Sequence, residues 1–261
     1  MEQFKKLFRF NPENTLKLGV ERECHLTDLN GNIVAIAQNV LGWLYSNTNG
    51  RGKCYGYELS GCQFEERVER PCGLDEILGL MLRNQVEITM AERALGFKRC
   101  FLPLGPSDMP LEHYPDERYD RIVETLSFEA LLTACQVTGV HILVGMPDPE
   151  TALEVYNEIT KHFFDLCRMG NSYDEEIFSP RLKAFVKNLV DVCEPPAYGS
   201  WQDFYKRALK EGFDKDPKRL WDFIRISVHG AIEFRMFDTT KSLDKIVLWA
   251  DVCQSICREA M

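Results

Sequence analysis

The stretch Lys17-Leu18-Gly19-Val20-Glu21-Arg22-Glu23 constrains the fold more than any other, because two carboxylates sit in a segment whose remaining signals are those of a buried strand. In an extended chain successive side chains alternate faces, so Glu21 and Glu23 share one face while Leu16, Leu18 and Val20 share the other. Two carboxylates on one surface repel each other unless a cation lies between them, and hard divalent ions such as Mg²⁺ are held by oxygen clusters of this kind. Taken alone, the pair reads as a solvated strand face with Arg22 and Lys17 beside it. Partners elsewhere in the chain decide between these readings.

A chain of 261 residues can bury a substantial core, and no repeat, low-complexity tract or Gly/Ser-rich linker divides it, so residues 1–261 are expected to form one domain. The net charge of −9 argues against nucleic-acid and membrane-surface partners, both of which attract basic patches. Residues Met1 to Phe10 are short, mixed and charged, without the apolar run of a signal peptide, and no stretch approaches a membrane span. The ten cysteines form no C-x-x-C: Cys24, Cys54, Cys62, Cys72, Cys100, Cys135, Cys167 and Cys193 stand singly, many in apolar runs, as buried free thiols of a reducing cytosol do. Cys253 and Cys257, four apart on a predicted helix, read as core packing because two sulfurs make a poor zinc site. A cytoplasmic protein is expected.

Along the chain, Asp28 to Asn32 reads as a turn and Ile36 to Tyr45 as a helix. Lys53 to Val68 has strand alternation, kinked at Ser60-Gly61, with Cys62, Phe64, Glu66 and Val68 opposite Gln63, Glu65 and Arg67. Leu74 to Leu95 reads as a long amphipathic helix with Asp75 and Glu76 in its first turn, and Phe97 to Leu102 as a short strand. Gly105 to Glu117, with three prolines, is a loop, and Arg118 to Val137 a second long helix. Val140 to Gly145 is apolar enough for a central strand, and His141 within it is either a core imidazole or a ligand. Helices follow from Pro149 to about Cys167, from Pro180 to Val192 and from Ser200 to Gly212, and Leu243 to Cys257 closes the chain. Leu220 to Val228 and Ala231 to Phe237 flank His229-Gly230 as a hairpin. A two-residue turn would pair Ile226 with Glu233. A three-residue loop would pair Arg225 with Glu233, the preferred register because an Arg opposite a buried Glu lowers the cost of burying both.

Sorted by face, the chain offers Glu21, Glu23, Glu58, Glu65, His141 and Glu233 as inward polar groups, with Arg225 and Arg235 as cations among them. Strands linked by long helices, without one-to-one alternation, predict an α+β fold: an antiparallel sheet with helices on one face. Acids and arginines on the open face suit a metal-nucleotide substrate, in which Mg²⁺ and Arg together neutralise phosphate oxygens.

These segments resemble the bacterial glutamate-cysteine ligase-like carboxylate-amine ligases, relatives of glutamine synthetase in fold. Leu18-Gly19-Val20-Glu21-Arg22-Glu23 is similar to the opening G-V-E-x-E, and Tyr57 to Glu65 to the second acidic strand pair. Arg118-Tyr119 and Gly139-Val140-His141-Ile142-Leu143-Val144-Gly145 resemble E-R-Y and G-x-H-V-H-V-G. Asn171-Ser172 and Phe178-Ser179-Pro180-Arg181 echo N-S-P and S-x-R, while Trp221 to Arg225 and Gly230 to Asp238 resemble the closing W-D-I-R and G-T-x-E-x-R-x-x-D.

The resemblance implies a curved antiparallel sheet forming a funnel-like active site, as in the glutamine synthetase catalytic domain, with long helices on the outer face. It implies ATP entering one end, a carboxylate the other, and Mg²⁺ or Mn²⁺ between. Glu21, Glu23, Glu58, Glu65, His141 and Glu233 are then expected at the metal, and Arg235 at the transferring phosphate. Arg225 is expected at the nucleotide phosphates or the substrate carboxylate, with Arg181, Asn171 and Ser172 also on the nucleotide side. The implied reaction activates a carboxylate, the side chain of glutamate or a related amino acid, as an acyl phosphate and joins it to an amine. A phosphotransferase acting on a small carboxylate or guanidino compound and an inactive nucleotide-binding relative are the alternatives. Small-molecule substrates are the expected partners, with a homo-oligomer left open.

Two departures stand out. Leu143 replaces the second His of the strand motif, and Tyr173 stands where the family has Pro. The chain is also shorter than typical members, with the missing length expected between Ile36 and Lys53 and between Leu166 and Trp201.

Overall fold

The computed structural model describes residues 1–173, 176–190 and 194–261. Within these lie strands β1 (Leu18–Thr27), β2 (Tyr55–Tyr57), β3 (Gln63–Arg67), β4 (Lys98–Cys100), β5 (Gly139–Gly145), β6 (Ile224–Ser227) and β7 (Ala231–Asp238). The helices are α1 (Glu2–Lys5), α2 (Ala37–Asn47), α3 (Leu74–Leu95), α4 (Glu117–Val123), α5 (Phe128–Gln136), α6 (Pro149–Ile159), α7 (Phe163–Gly170), α8 (Pro180–Asn188), α9 (Trp201–Glu211) and α10 (Leu243–Glu259). The strands form one open sheet in the order β2-β3-β1-β5-β7-β6, with β4 on the far end of β1, and every pairing is antiparallel.

The expected α+β class is therefore the observed one. Alternation along β1 sends Leu18, Val20, Cys24 and Leu26 into the core and turns Glu21 and Glu23 to the opposite face. Val140, Ile142, Val144, Ile226, Ile232, Phe234 and Met236 continue that apolar face across β5, β6 and β7. Against it pack Ile77 and Met81 of α3, Val155 and Ile159 of α6, Phe163 of α7, and Ile246, Trp249 and Cys253 of α10. A second cluster joins Cys24, Leu26 and Phe64 to Val40, Leu41 and Leu44 of α2 and Ile88 of α3, so α3 spans both. The other face of the sheet keeps the polar side chains and is approached at its rim by α4, α5 and α8.

Several boundaries follow the sequence expectation for the physical reason given there. α3 starts where Gly73 N donates to Glu76 Oε2 and stops at Gly96, whose left-handed φ of 71° suits glycine. Ser200 accepts from Asp203 N and Gly212 closes α9.

Others differ. Leu16 is outside β1, at φ 58°. Lys53 to Val68 is a β2–β3 hairpin, with Tyr57 paired to Phe64, rather than a kinked strand. The reversal is held by Cys62 N donating to Ser60 Oγ and by Gly61 N donating to Glu112 O. Arg118 to Val137 is two helices, because Ser127 accepts from Ala130 N and caps a new one, α5. Thr160–His162 is a 3₁₀ turn between α6 and α7, and α8 ends at Asn188; Val192 lies outside the described residues. β6 begins only at Ile224, because Arg225 Nη1 draws the Leu220 and Lys218 carbonyls back onto itself.

Cys24, Cys54, Cys62, Cys72, Cys135, Cys253 and Cys257 are buried free thiols and Cys100 a half-buried one; Cys193 lies outside the described residues. Among the described residues no helix is long and apolar enough to cross a membrane.

Candidate active site

The polar face of the sheet lines a cavity of about 290 Å³, into which five strands send acidic or basic side chains. Register explains the convergence. Glu21 lies beside His141 across β1 and β5, Glu23 beside Glu65 across β1 and β3, and Leu143 beside both Gly19 and Glu233. The three-residue loop Val228-His229-Gly230 pairs Arg225 with Glu233, the register preferred from sequence, and Gly230 takes the left-handed φ of 71° the loop needs. Gly230 also lets the loop touch the N-terminal segment, since a Cβ there would stand 2.3 Å from Arg9 O.

Glu233 is held on two sides. Arg225 grips it with two bonds of 2.9 Å, from Nε to Oε2 and from Nη2 to Oε1, and Arg235 Nη1 adds a third at 2.6 Å. Burial pushes the Glu233 carboxyl up, but the two guanidinium charges outweigh it and hold it well below the usual range. His141 stands between the carboxylates of β1, with Nδ1 3.4 Å from Glu21 and Nε2 3.4 Å from Glu23. Burial raises the Glu21 carboxyl, yet its hydrogen bond with His141 contributes to a net downward shift. Glu23 also accepts from Gly139 N at 2.7 Å.

Glu58 and Glu65 behave in the opposite way. They share a hydrogen bond, and burial followed by the charge of Glu23 pushes Glu58 up to about 7. Burial and the charges of Glu21 and Glu58 raise Glu65 well above the usual range, despite Arg67 at 3.0 Å. This corner of the cavity carries more negative charge than its cations neutralise.

That imbalance tests the fit of a divalent cation. Clustered carboxylates and an imidazole are donors of the kind Mg²⁺ or Mn²⁺ accepts, and an added cation would relieve the repulsion that raises Glu58 and Glu65. Among the described residues no three of these side chains already converge on one ion position, so the fit is one of donor type and charge.

Arg181 lines the cavity and is buried, donating to Arg235 O through both terminal nitrogens at 3.2 Å. Gly139 makes the room for it, since a Cβ there would lie 2.4 Å from its Nη2. Asn171 and Ser172 do not line the cavity. The Asn171 amide donates to Glu176 O, and Ser172 N donates to Asp238. Leu143 takes the place of the second motif His in the cavity wall.

Sequence reasoning assigned no role to Arg67, Tyr119, Trp221, Lys218 or His229, all of which line the cavity. For Arg67 the signal was present, because alternation puts it on the face of Glu65. Gly56 opposite has no Cβ, which would sit 2.2 Å from Arg67 Nη2. Lys218 and Trp221 arrive on an irregular segment whose path no periodicity reveals. Among the described residues no cysteine lines the cavity.

Comparison with known proteins decides the family. The sequence pattern of glutamate-cysteine ligase family 2 matches residues 17–163, more than half of the chain. The chain belongs to this family. A relative in Thermobifida fusca, provisionally named glutamate--cysteine ligase 2, is 24% identical over 274 aligned positions, covering 95% of this chain and 65% of the relative. One of the same name in Solibacter usitatus is 31% identical across 56% of this chain and 40% of its own length. The chain thus spans about 40–65% of these two family relatives. In structure it resembles a bifunctional glutathione synthetase from Pasteurella multocida, with a TM-score of 0.65 at 12% identity over 99% of this chain and 39% of that one. That likeness concerns the fold.

Proposed function

We propose that residues 1–261 act as one catalytic unit, a ligase that uses ATP and Mg²⁺ to join a carboxylate to an amine. The observation that carries this reading is the placement of Glu21, Glu23, Glu58, Glu65 and His141 against Arg225, Glu233 and Arg235 in one cavity. Family membership supports it, and the relatives' names make the side chain of glutamate and the amine of cysteine the first pair to test.

A carboxylate has no leaving group. The reading therefore has the substrate carboxylate oxygen attack the γ-phosphorus of ATP, releasing ADP and giving an acyl phosphate. The amine then attacks the acyl carbon, phosphate departs with the C–O bonding pair, and the amine proton passes to solvent. Positioning and charge neutralisation are the protein's share of such chemistry.

Glu21, Glu23, Glu58, Glu65 and His141, with Glu233 beside them, would hold the divalent cation, which when bound supplies positive charge to phosphate oxygens. Arg235 spends one nitrogen on Glu233 and keeps the rest of its fork for a phosphoryl group. Arg225 is committed to Glu233 and to the Lys218 and Leu220 carbonyls, so its part is to hold Glu233 in place. Arg181 steadies the Arg235 backbone. Leu143 presents an apolar wall where a second imidazole would stand.

The test is to incubate the protein with ATP, Mg²⁺ and pooled amino acids and to follow ADP and phosphate. Release of both that requires a carboxylate and an amine together supports the ligase. ADP with a phosphorylated product would replace it by a phosphotransferase, and nucleotide binding without turnover by an inactive relative.

A further inference from the structure

Arg181 is a cavity cation short of counter-charge. It is 2% exposed, its two hydrogen bonds both run to the Arg235 carbonyl, and among the described residues its Nε has no partner. A guanidinium carries five N–H donors, so three are left for an anion. Burial outweighs the more distant charges of Asp238 and Glu23 and lowers its pKa. Its Nη2 lies against Gly139, whose N–H donates to Glu23, so the guanidinium reaches the edge of the acidic cluster.

From this inner end the cavity wall turns apolar. Phe185 and Leu189 follow Arg181 at four-residue intervals and line the same cavity. Trp221 continues their wall, with its ring centroid 6.1 Å from that of Phe185. Ile122, Ala134 and Val137 add apolar lining from α4 and α5, and Asn188 donates to Thr133 at 2.7 Å, tying α8 to α5. Arg118 belongs to the β2 side: it is exposed and lies over the ring of Tyr119, whose hydroxyl donates to Tyr57 O. A wall that is cationic at its inner end and apolar beyond it matches a molecule built the same way. The α-ammonium and α-carboxylate of an amino acid would meet Val137, Phe185 and Leu189 without hydrogen-bond partners.

We propose that the carboxylate activated by this protein belongs to a monocarboxylic acid with an apolar alkyl or aryl body, held at its carboxylate by Arg181 and along its body by Phe185, Leu189 and Trp221. Turnover of such an acid requires the ligase reading given above; its binding does not.

Isothermal titration of the whole chain in Mg²⁺ buffer tests the binding, with 3-phenylpropionate as the probe. The acid should bind, and L-glutamate and the neutral 3-phenylpropionamide should each bind about tenfold or more weakly. Arg181→Gln should weaken the acid about tenfold and leave the amide unchanged, and Arg181→Lys should recover part of the loss. A merely structural role for Arg181 would weaken acid and amide alike. Ile122→Glu is the second variant, at a half-buried position outside the core clusters. It places like charge beside the acid and should weaken it with an unchanged circular dichroism spectrum.

Hydroxylamine and ATP then test turnover. An oxygen of the acid takes the γ-phosphoryl group and ADP leaves; the hydroxylamine nitrogen attacks the acyl carbon, phosphate departs and a proton is released, giving a hydroxamate. Hydroxamate should form from 3-phenylpropionate in preference to glutamate. Tighter binding of glutamate, or equal weakening of acid and amide by Arg181→Gln, would overturn the proposal. Hydroxamate from glutamate alone would overturn it and keep the ligase. Arg181-dependent binding with no hydroxamate from any acid would support the subsite and overturn the ligase.

Discussion

Glu58→Gln should stabilise the fold at alkaline pH while it damages the site. In the native cavity the Glu58 carboxyl is pushed up to about 7 from its usual 4.5, first by burial and then by the charge of Glu23. A carboxyl whose native pKa is raised costs nothing below pH 4.5, where both folded and unfolded states hold the proton. Its cost grows as pH rises and is complete above about 7, where the native state must give the proton up. At ~1.4 kcal/mol per pH unit, ionised Glu58 destabilises the fold by roughly 3 kcal/mol at pH 8. Glutamine keeps the shape, and its amide oxygen can still accept from Glu65, without the charge. Thermal unfolding of both proteins at pH 4.5 and pH 8 should show near-equal midpoints at the lower pH and a variant about 6–10 °C more stable at the higher. Mg²⁺ should raise the midpoint of the unsubstituted protein at pH 8 more than that of the variant. A variant less stable than its parent by the same margin at both pH values would refute the reasoning, because it would mean that the carboxylates do not repel.

Four further outcomes follow from individual contacts. Gly230→Ala forces a Cβ into a left-handed turn 2.3 Å from Arg9 O and should cost about 2–4 kcal/mol by urea unfolding. Arg22→Met strands Glu66, which among the described residues pairs only with Arg22 and the more distant Arg99 at 3.7 Å, and should cost about 3–5 kcal/mol. Ser127→Ala removes the cap of α5 and should cost about 1 kcal/mol, read as a lower midpoint with an unchanged far-ultraviolet spectrum. Burial holds His25 down to about 4, so it folds neutral; stability fully present above its usual 6.5 should fall by about 3 kcal/mol as pH drops to 4, a slope that His25→Gln removes.

Legibility tracked how local each signal was. α3 could be bounded from sequence because its start and stop are set by Gly73, Glu76 and Gly96 within a few residues. The hairpin register followed from the cost of burying Glu233 without a partner, and Arg225 is there. Alternation alone put Glu21, Glu23 and Glu65 on one face and Glu66 on the other, where it pairs with Arg22. The break at Ser127 was missed because helix periodicity runs through it, and only the cap hydrogen bond separates α4 from α5. The β2–β3 reversal was read as a kink because part of what holds it comes from Glu112, some fifty residues away. Asn171 and Ser172 sit off the cavity because Glu176 and Asp238 take their hydrogen bonds, a tertiary fact without a local signature.

The central claim is that the acidic cavity handles a metal-bound phosphoryl group, and Glu21→Gln tests it most directly. Mg²⁺-dependent ADP release should be measured for this variant and its parent at matched circular dichroism spectra and melting temperatures. Among the described residues the Glu21 side chain bonds only to His141, at 3.4 Å, so the substitution is expected to leave the fold intact. The expected result is turnover in the parent and its loss in Glu21→Gln. Undiminished turnover in a folded Glu21→Gln protein would contradict the account.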